Sequence, residues 1–259
     1  MMRRALKVYL ATFLLVLYAP SLLLPVFAFN DSAIIAFPLS GFTPRWFGVL
    51  WQTDALHHAA LNSLMIAASS AVLATALGLC VARAWARHSF YGKTPILGFI
   101  MLPMLLPEII VGVSLLIVIV QAGLELSLWT IVLGHVLICT PFSAMVLRSS
   151  FQQLDPYMEE ASYDLGQSRL ATLCFVTLPL IMPGIISSLL ITFTISLDEF
   201  VIAFFLSGTE PTLPVYIWSQ LRFPQKIPSV MALGTLLLIL SVVLLILSEI
   251  IRRRGSKWQ

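Results

Sequence analysis

Three carboxylates lie where the chain is otherwise apolar, and they have the clearest capacity for chemistry. Glu108 follows Pro107 in one apolar stretch, and Asp198 and Glu199 interrupt another. A charge at the centre of a bilayer costs at least about 2.5–3.5 kcal/mol, so each group requires a partner, a water-filled cavity or a proton. We predict that Glu108 and Asp198 line a transport pathway. Glu199 is predicted to contribute less, because adjacent residues on a helix point about 100° apart.

These carboxylates also have a structural alternative. Pro103 and Pro107 interrupt helical hydrogen bonding near Glu108, so the acidic groups would cap broken helices without meeting a solute. Trp218, in a later connection, either joins the pathway by stacking on a cation or anchors the chain at the membrane surface. The sequence places no nucleophile–base pair or metal-binding constellation beside these residues, which argues against an enzyme.

The composition requires lipid as the solvent for much of the chain. Of the 259 residues, 59% are hydrophobic and only 10% are charged, whereas a soluble domain carries about 25% charged residues. A membrane-spanning helix needs about 20 apolar residues. Six runs are long enough, so we predict an all-α polytopic membrane protein with six transmembrane helices. The runs are residues 8–29, 61–83, 96–121, 128–147, 176–206 and 230–251.

Three of these runs carry further predictions. The first exceeds the apolar part of a signal peptide, so it is expected to remain as a span. The fourth contains His135, which is predicted to form a helix-to-helix hydrogen bond. The fifth is too long for one straight span, and Pro179 and Pro183 predict a bend near its start.

The basic residues predict the orientation. Twelve of the fifteen fall on one side of the six predicted spans. The positive-inside rule makes that side cytoplasmic and places both termini there. On the other side, the connection over residues 30–60 contains Trp46 and Trp51, which predict an element that lies on the outer membrane surface or meets an external partner. The twelve basic residues are Arg3, Arg4, Lys7, Arg83, Arg87, Lys93, Arg148, Arg169, Arg252, Arg253, Arg254 and Lys257.

The polar loop over residues 151–179 is predicted to contain a short amphipathic helix. Asp155 suits its N-cap, Pro156 its first position and Gly166 the left-handed position after its end. The opposite face is rich in acidic residues, which favours a protein partner over a membrane surface. An apolar stripe at spacings of three and four is formed by Phe151, Leu154, Met158, Ala161 and Leu165.

This loop resembles the EAA loop of binding-protein-dependent ABC importers. The family pattern is Glu-Ala-Ala, three residues, Gly, nine residues and then Ile-x-Leu-Pro. The chain keeps this spacing, with Ser162 and Val176 as mild departures. The positions that match functional residues of the family are Glu160, Ala161, Ser162, Gly166, Leu178 and Pro179.

The resemblance implies the fold and the partners. The chain would be a type I importer permease, with one transmembrane domain over residues 1–259 in a bacterial inner (cytoplasmic) membrane. Its loop would dock on a cytosolic ATPase dimer that binds ATP and magnesium, since this sequence has no Walker motif. The chain itself would need no cofactor and would not be an enzyme. A second permease subunit and a periplasmic solute-binding protein are the other expected partners, and nucleic acid is not.

Three short strings resemble permeases for spermidine and putrescine, at residues 107–112, 196–200 and 213–218. They imply a polyamine as the solute and a heterodimer of two related permeases. Related permeases carry opines, phosphonates and other small solutes, such as amino-acid derivatives, so the solute stays open at this point. An ion-coupled secondary transporter, with Glu108 and Asp198 as proton sites, is the alternative from another functional class.

Overall fold

The computed structural model describes the backbone of residues 2–255 and the side chains of residues 6–243. Over the described residues the regular secondary structure is helical, apart from an isolated antiparallel bridge between Asn30 and Phe42. The predicted all-α class is confirmed. The α-helices are α1 (Met2–Ala28), α2 (Arg45–Trp51), α3 (Asp54–Arg87), α4 (Lys93–Leu105), α5 (Glu108–Gln121), α6 (Leu128–Gln153), α7 (Pro156–Asp164), α8 (Arg169–Thr172), α9 (Leu178–Leu180), α10 (Met182–Asp198), α11 (Val201–Leu206), α12 (Leu213–Gln220) and α13 (Ile227–Gly255). A π-helical turn (Leu173–Thr177) lies between α8 and α9, and a 3-10 turn (Pro224–Lys226) precedes α13.

Within the part of the chain that the structure describes, four helices are long and apolar enough to cross a membrane, namely α1, α3, α6 and α13 with the 3-10 turn before it. Two further candidates are bent pairs. The segment from α8 to α9 meets α10 at 71°, which confirms the bend predicted near Pro179 and Pro183. The predicted run over residues 96–121 is not one helix, because α4 and α5 meet at 106°. The residue before a proline is pushed out of the helical region, and Leu106, before Pro107, has the extended angles φ −87° and ψ 146°.

The chain divides into two units by its internal contacts: one joins Met1–His57 to Ile217–Gln259, and the other is His58–Tyr216. The prediction of a single domain over residues 1–259 stays a prediction. The structure does not describe the side chains of several basic residues that support the predicted orientation, and Lys257 lies outside the described residues altogether. They are Arg3, Arg4, Arg252, Arg253, Arg254 and Lys257.

In the first unit, α13 packs against α1 and α2. The connection before α2 is held by polar contacts. Arg45 pairs with Asp31 at 3.1 Å, and Trp46 Nε1 donates a hydrogen bond of 2.8 Å to the carbonyl oxygen of Asn30. Trp51 at the end of α2 is 83% exposed. A short helical element is therefore present where the sequence predicts one, and its place at a membrane surface stays a prediction.

In the second unit, α6 is the central helix, and α4, α10 and α11 pack against it. The apolar core lies around its first half, where α5 and α11 also meet. Its fully buried members include Ile66, Ile131, Ile202 and Leu206. The core therefore surrounds α11, the short helix that follows the interruption at Glu199 and Phe200.

Polar and small residues bring α3, α6 and α10 together. Ser188 of α10 is 3.1 Å from the Thr75 hydroxyl and donates to Ser143 at 2.8 Å. His135 Nδ1 and the Ser196 hydroxyl are 2.7 Å apart, which confirms the predicted helix-to-helix hydrogen bond. Lipid offers no hydrophobic drive for helices to associate, so small residues and buried hydrogen bonds supply the packing contacts instead.

The contact between α3 and α6 generates a test of this packing. A methyl group at Gly78 would overlap the Ser143 side chain and lie 2.9 Å from the backbone nitrogen of Ala144. Because that backbone cannot move aside, we expect Gly78→Ala to destabilise the purified permease by about 1–3 kcal/mol. Thermal unfolding in detergent measures the effect. Gly98→Ala in α4 is the control, since nothing lies within 4 Å of its added methyl group. Equal melting temperatures for both variants would contradict this packing.

Candidate functional site

The helix of the polar loop begins as the sequence predicts. Asp155 is the N-cap of α7, and its carboxylate accepts a hydrogen bond of 3.0 Å from the backbone nitrogen of Tyr157. Pro156 occupies the first helical position, where its missing N–H removes no hydrogen bond. Both predicted roles are confirmed.

The end of the helix also agrees with the sequence. Gly166 has φ +85°, in the left-handed region that other residues adopt only at a cost. Its N–H donates to the carbonyl of Tyr163 at 2.8 Å, and the N–H of Gln167 donates to that of Ser162 at 3.1 Å. These paired bonds form a Schellman motif, which satisfies the last carbonyls of α7 and turns the chain sharply toward α8.

The predicted apolar stripe does not belong to one helix, and its members on and beside α7 are exposed rather than buried. The buried residues of α7 are Glu159 and Ser162, each 7% exposed. Met158 is 49% exposed and Leu165 is 84% exposed, and Ala161 is exposed as well. The other two members of the stripe, Phe151 and Leu154, belong to α6 and its C-cap. The helix therefore presents its apolar side chains outward, and the two side chains that it turns inward, Glu159 and Ser162, are polar.

A buried ion pair explains why Glu159 lies on the inner side of α7. Glu159 Oε2 lies 2.9 Å from Arg87 Nε at the end of α3, and its Oε1 accepts a hydrogen bond of 2.7 Å from Thr177. The contact with Arg87 Nε is an ion pair without hydrogen-bond alignment. Arg87 Nη2 donates to the carbonyl of Leu154 at 3.0 Å. We call these three residues, Arg87, Glu159 and Thr177, the brace.

A second polar contact lies beside the brace. The hydroxyl groups of Ser162 and Thr172 are 2.9 Å apart, and both side chains are buried. Serine at position 162, a departure from the family pattern, thus has a partner on α8. Together the two contacts hold the inner face of α7 against the segment that leads into α10.

The remaining motif residues divide between surface and core. Glu160 and Ala161 are exposed on α7, and Pro179 is exposed on α9. Leu178 is partly buried and packs beside Leu147, Phe151 and Ile181. Several side chains on and around α7 are exposed and form a surface that is open to a partner, among them Tyr157, Met158, Glu160, Ala161 and Leu165. We call this the outer face of α7.

The three carboxylates that interrupt apolar stretches all lie at helix ends. Glu108 is the first residue of α5, and Asp198 is the last residue of α10. Both side chains are exposed, and over the described residues neither has a hydrogen bond or an ion pair. Glu199 follows Asp198 but is buried, so the predicted divergence of these two neighbours is confirmed.

Glu199 acts as a helix cap. Its Oε1 accepts a hydrogen bond of 2.9 Å from the backbone nitrogen of Ile202, in the first turn of α11. At the other end of α11, the Thr130 hydroxyl donates to the carbonyl of Leu206 at 3.0 Å. The capping alternative therefore describes Glu199. Glu108 is close enough to Glu199 for their charges to interact. The break after α4 therefore lies near the break after α10.

Two other features bear on the predicted pathway. Trp218 on α12 belongs to the other unit and is 48% exposed, and its predicted role stays a prediction. An apolar cavity of about 550 Å³ lies among α3, α4, α5 and α6. Its lining includes Ser114 and Thr140 but no charged residue, so it does not suit a polycation.

Comparison with known proteins places this geometry in a family. The family described as "Binding-protein-dependent transport system inner membrane component" matches residues 74–257. The spermidine/putrescine transport system permease protein PotC of Escherichia coli (strain K12) is 36% identical over 242 residues, covering 93% of this chain and 91% of PotC. The putrescine transport system permease protein PotI of the same organism is 39% identical over 230 residues, covering 86% of this chain and 81% of PotI.

Solved structures agree on the fold. A bacterial ABC transporter involved in the import of the acidic polysaccharide alginate contains a chain that superposes with a TM-score of 0.75. The match covers 97% of this chain and 95% of that one at 16% identity, so it supports the assignment of the fold alone. With its helical architecture, its family match and these two relatives, the chain belongs to the inner membrane components of binding-protein-dependent transport systems.

Proposed function

We propose that this chain is the membrane-spanning permease subunit of an ATP-binding-cassette importer for polyamines such as spermidine and putrescine. The observation that carries the solute class is the 36% and 39% identity with PotC and PotI over most of the chain. The proposed assembly contains a second, related permease, a cytosolic ATPase dimer that binds ATP and magnesium, and a periplasmic solute-binding protein. It lies in the bacterial inner membrane.

The proposed topology has six spans with both termini in the cytoplasm. Each bent pair counts as one span, and α7 lies on the cytoplasmic side. The basic residues around α7 support this side. Arg87 pairs with Glu159, and Lys93 Nζ donates to the carbonyls of Trp85 and His88 at 2.7 and 2.8 Å. Cationic side chains at the cytoplasmic ends of spans are the pattern that the positive-inside rule describes.

In this proposal the outer face of α7 docks in a groove of the ATPase. An exposed helix with apolar side chains on one face is a common form of recognition between proteins. Tyr157 is 73% exposed, and Met158 and Leu165 are also open, so α7 needs no rearrangement to meet a partner. The brace holds the opposite face, so the docking residues are presented on a fixed support.

The two exposed carboxylates supply the proposed contacts with solute, and Asp198 is the stronger candidate. Asp198 ends α10, where the helix dipole is negative and the last carbonyls have no partner within the helix. Its carboxylate and those carbonyls suit an ammonium group. Glu108 begins α5, where the positive end of the dipole offsets part of its charge. We therefore expect Asp198 to contribute more than Glu108 to polyamine binding.

Docking is tested by co-purification of the ATPase with the permease. Substituting Met158→Asp and Leu165→Asp together places two charges on the proposed interface, and we expect the ATPase to be lost from the purified complex. Phe42→Asp is the matched control, because Phe42 is 80% exposed but lies in the proposed external connection. An ATPase that remains bound to the doubly substituted permease would contradict docking through this face.

The Schellman motif gives a second test. Gly166→Val forces a β-branched residue into the left-handed region at a cost of about 1–2 kcal/mol, although no atom blocks its Cβ. We expect membrane insertion to be unchanged and ATP hydrolysis to lose its coupling to transport. Gly166→Asn is the control, since asparagine tolerates this conformation and should keep most of the coupling. Normal transport by the valine variant would show that the turn is not needed for coupling.

The solute pathway is tested by uptake of spermidine and putrescine into proteoliposomes. We expect Asp198→Asn to raise the apparent KM about tenfold, since a hydrogen bond to a charged group contributes about 1.5–3 kcal/mol. Glu108→Gln is expected to have a smaller effect in the same direction. If both variants take up polyamines as the unsubstituted permease does, the carboxylates do not line the pathway. A parallel panel of phosphonates and amino-acid derivatives tests the solute class.

A further inference from the structure

We propose that the brace makes α7 move as one body with the end of α3 and with the start of the bent segment that leads into α10. Glu159 would then be a positioning residue for transport, although it is not one of the residues that match the family pattern. This inference rests on the proposed docking of α7 on an ATPase. It concerns the opposite side of the same helix.

The covalent connections of α7 do not fix its rotation. Residues 154–155 join it to α6, and residues 165–168 join it to α8, and neither connection is helical. A helix held only at such ends can turn about its axis when a partner pulls on one face. Glu159 lies on the inner face and binds two other elements, so it opposes that rotation. Ser162, bonded to Thr172, opposes it one turn later.

Glu159 is held on two sides, by a hydrogen bond from Thr177 and by the ion pair with Arg87. Its two carboxylate oxygens contact different elements, Arg87 of α3 and Thr177 of the π-helical turn before α9. A buried apolar contact permits sliding, but a charged group with two short contacts holds both partners at fixed positions. Arg87 adds the end of α6, because it also donates to the carbonyl of Leu154. One carboxylate and one guanidinium therefore join four elements.

The neighbouring acidic residue offers an internal comparison. Glu160 is exposed and points about 100° away from Glu159 on the helix. The two carboxylates thus face opposite partners, the proposed ATPase for Glu160 and the helical bundle for Glu159. Movement of the outer face reaches the bundle through α7 only if the inner face is held. The brace supplies that hold.

The functional test is the ratio of spermidine imported to ATP hydrolysed by the reconstituted complex. In Arg87→Met with Glu159→Met, both charges are removed, so no buried charge is left unpaired and assembly should be retained. We expect this ratio to fall about tenfold, in the range of typical coupling energies, while ATP hydrolysis continues. Arg87→Lys keeps the charge and should restore part of the ratio. Arg83→Met on α3 is the matched control and should leave it unchanged.

A distance measurement tests the brace without reference to the solute. Cys80, Cys139 and Cys174 are first replaced by serine. The substitutions His88→Cys and Asp164→Cys, both at exposed positions, then carry the spin labels. We expect a narrow distribution of distances between the labels, with the same mean before and after nucleotide trapping of the ATPase. In the double methionine variant the distribution should broaden or shift. A narrow, unchanged distribution in that variant, or an unchanged ratio of spermidine to ATP, would overturn the proposal.

The two measurements separate this proposal from the proposed function. If the unsubstituted complex imports no spermidine, the solute assignment fails. If no ATPase associates, the docking assignment fails. In either case the width of the distance distribution in the permease still decides whether Arg87 and Glu159 hold α7 against α3.

Discussion

A helix that ends in apolar surroundings leaves backbone groups without water, and this constraint accounts for the polar residues around α11. Each unpaired backbone group in lipid costs several kcal/mol, so every break requires an internal partner. The short helix α11 meets this requirement at both ends, through Glu199 at its start and Thr130 at its end. The connection that follows is held by α3, where Asn62 and Ser63 bond the backbone of Pro211 and Leu213. Polar side chains therefore stabilise both ends of α11 and the connection that follows it.

The same constraint separates three carboxylates that look alike in the sequence. Glu199 is committed to the backbone of α11, so its charge already has a structural partner. Glu108 and Asp198 stand at opposite ends of their helices and carry no such bond over the described residues. Because the helix dipole favours a negative charge at its start and a positive one at its end, the residue that most needs a cation is Asp198. Position relative to a break thus distinguishes Glu199, which caps a helix, from Asp198, the proposed contact for solute.

The sequence predicts well the features that depend on contacts between residues close together in the chain. It misses those that depend on contacts between residues far apart in the chain. Asp155 and Gly166 mark the ends of α7 through contacts within a few residues, and the bend after α9 follows from nearby prolines. The all-α class follows from the composition and from apolar runs of about 20 residues. The inner face of α7 was not predictable in this way, because Arg87, Glu159 and Thr177 are far apart in the chain. Spacing rules assume that apolar residues face inward, and they contain no term for a buried ion pair.

Approximate energies explain why α7 keeps its polar face inside. Burying Met158 and Leu165 instead would gain at most about 1.5–3 kcal/mol for each side chain. Separating Arg87 from Glu159 with one of them still buried costs about 3–5 kcal/mol. The hydrogen bonds at Thr177 and between Ser162 and Thr172 add about 1 kcal/mol each. The two orientations are close in energy, and the polar contacts decide between them. If α7 buried its apolar residues, Met158 and Leu165 would not be open to the proposed ATPase. The ion pair between Arg87 and Glu159 opposes that burial and so keeps the outer face of α7 available for docking.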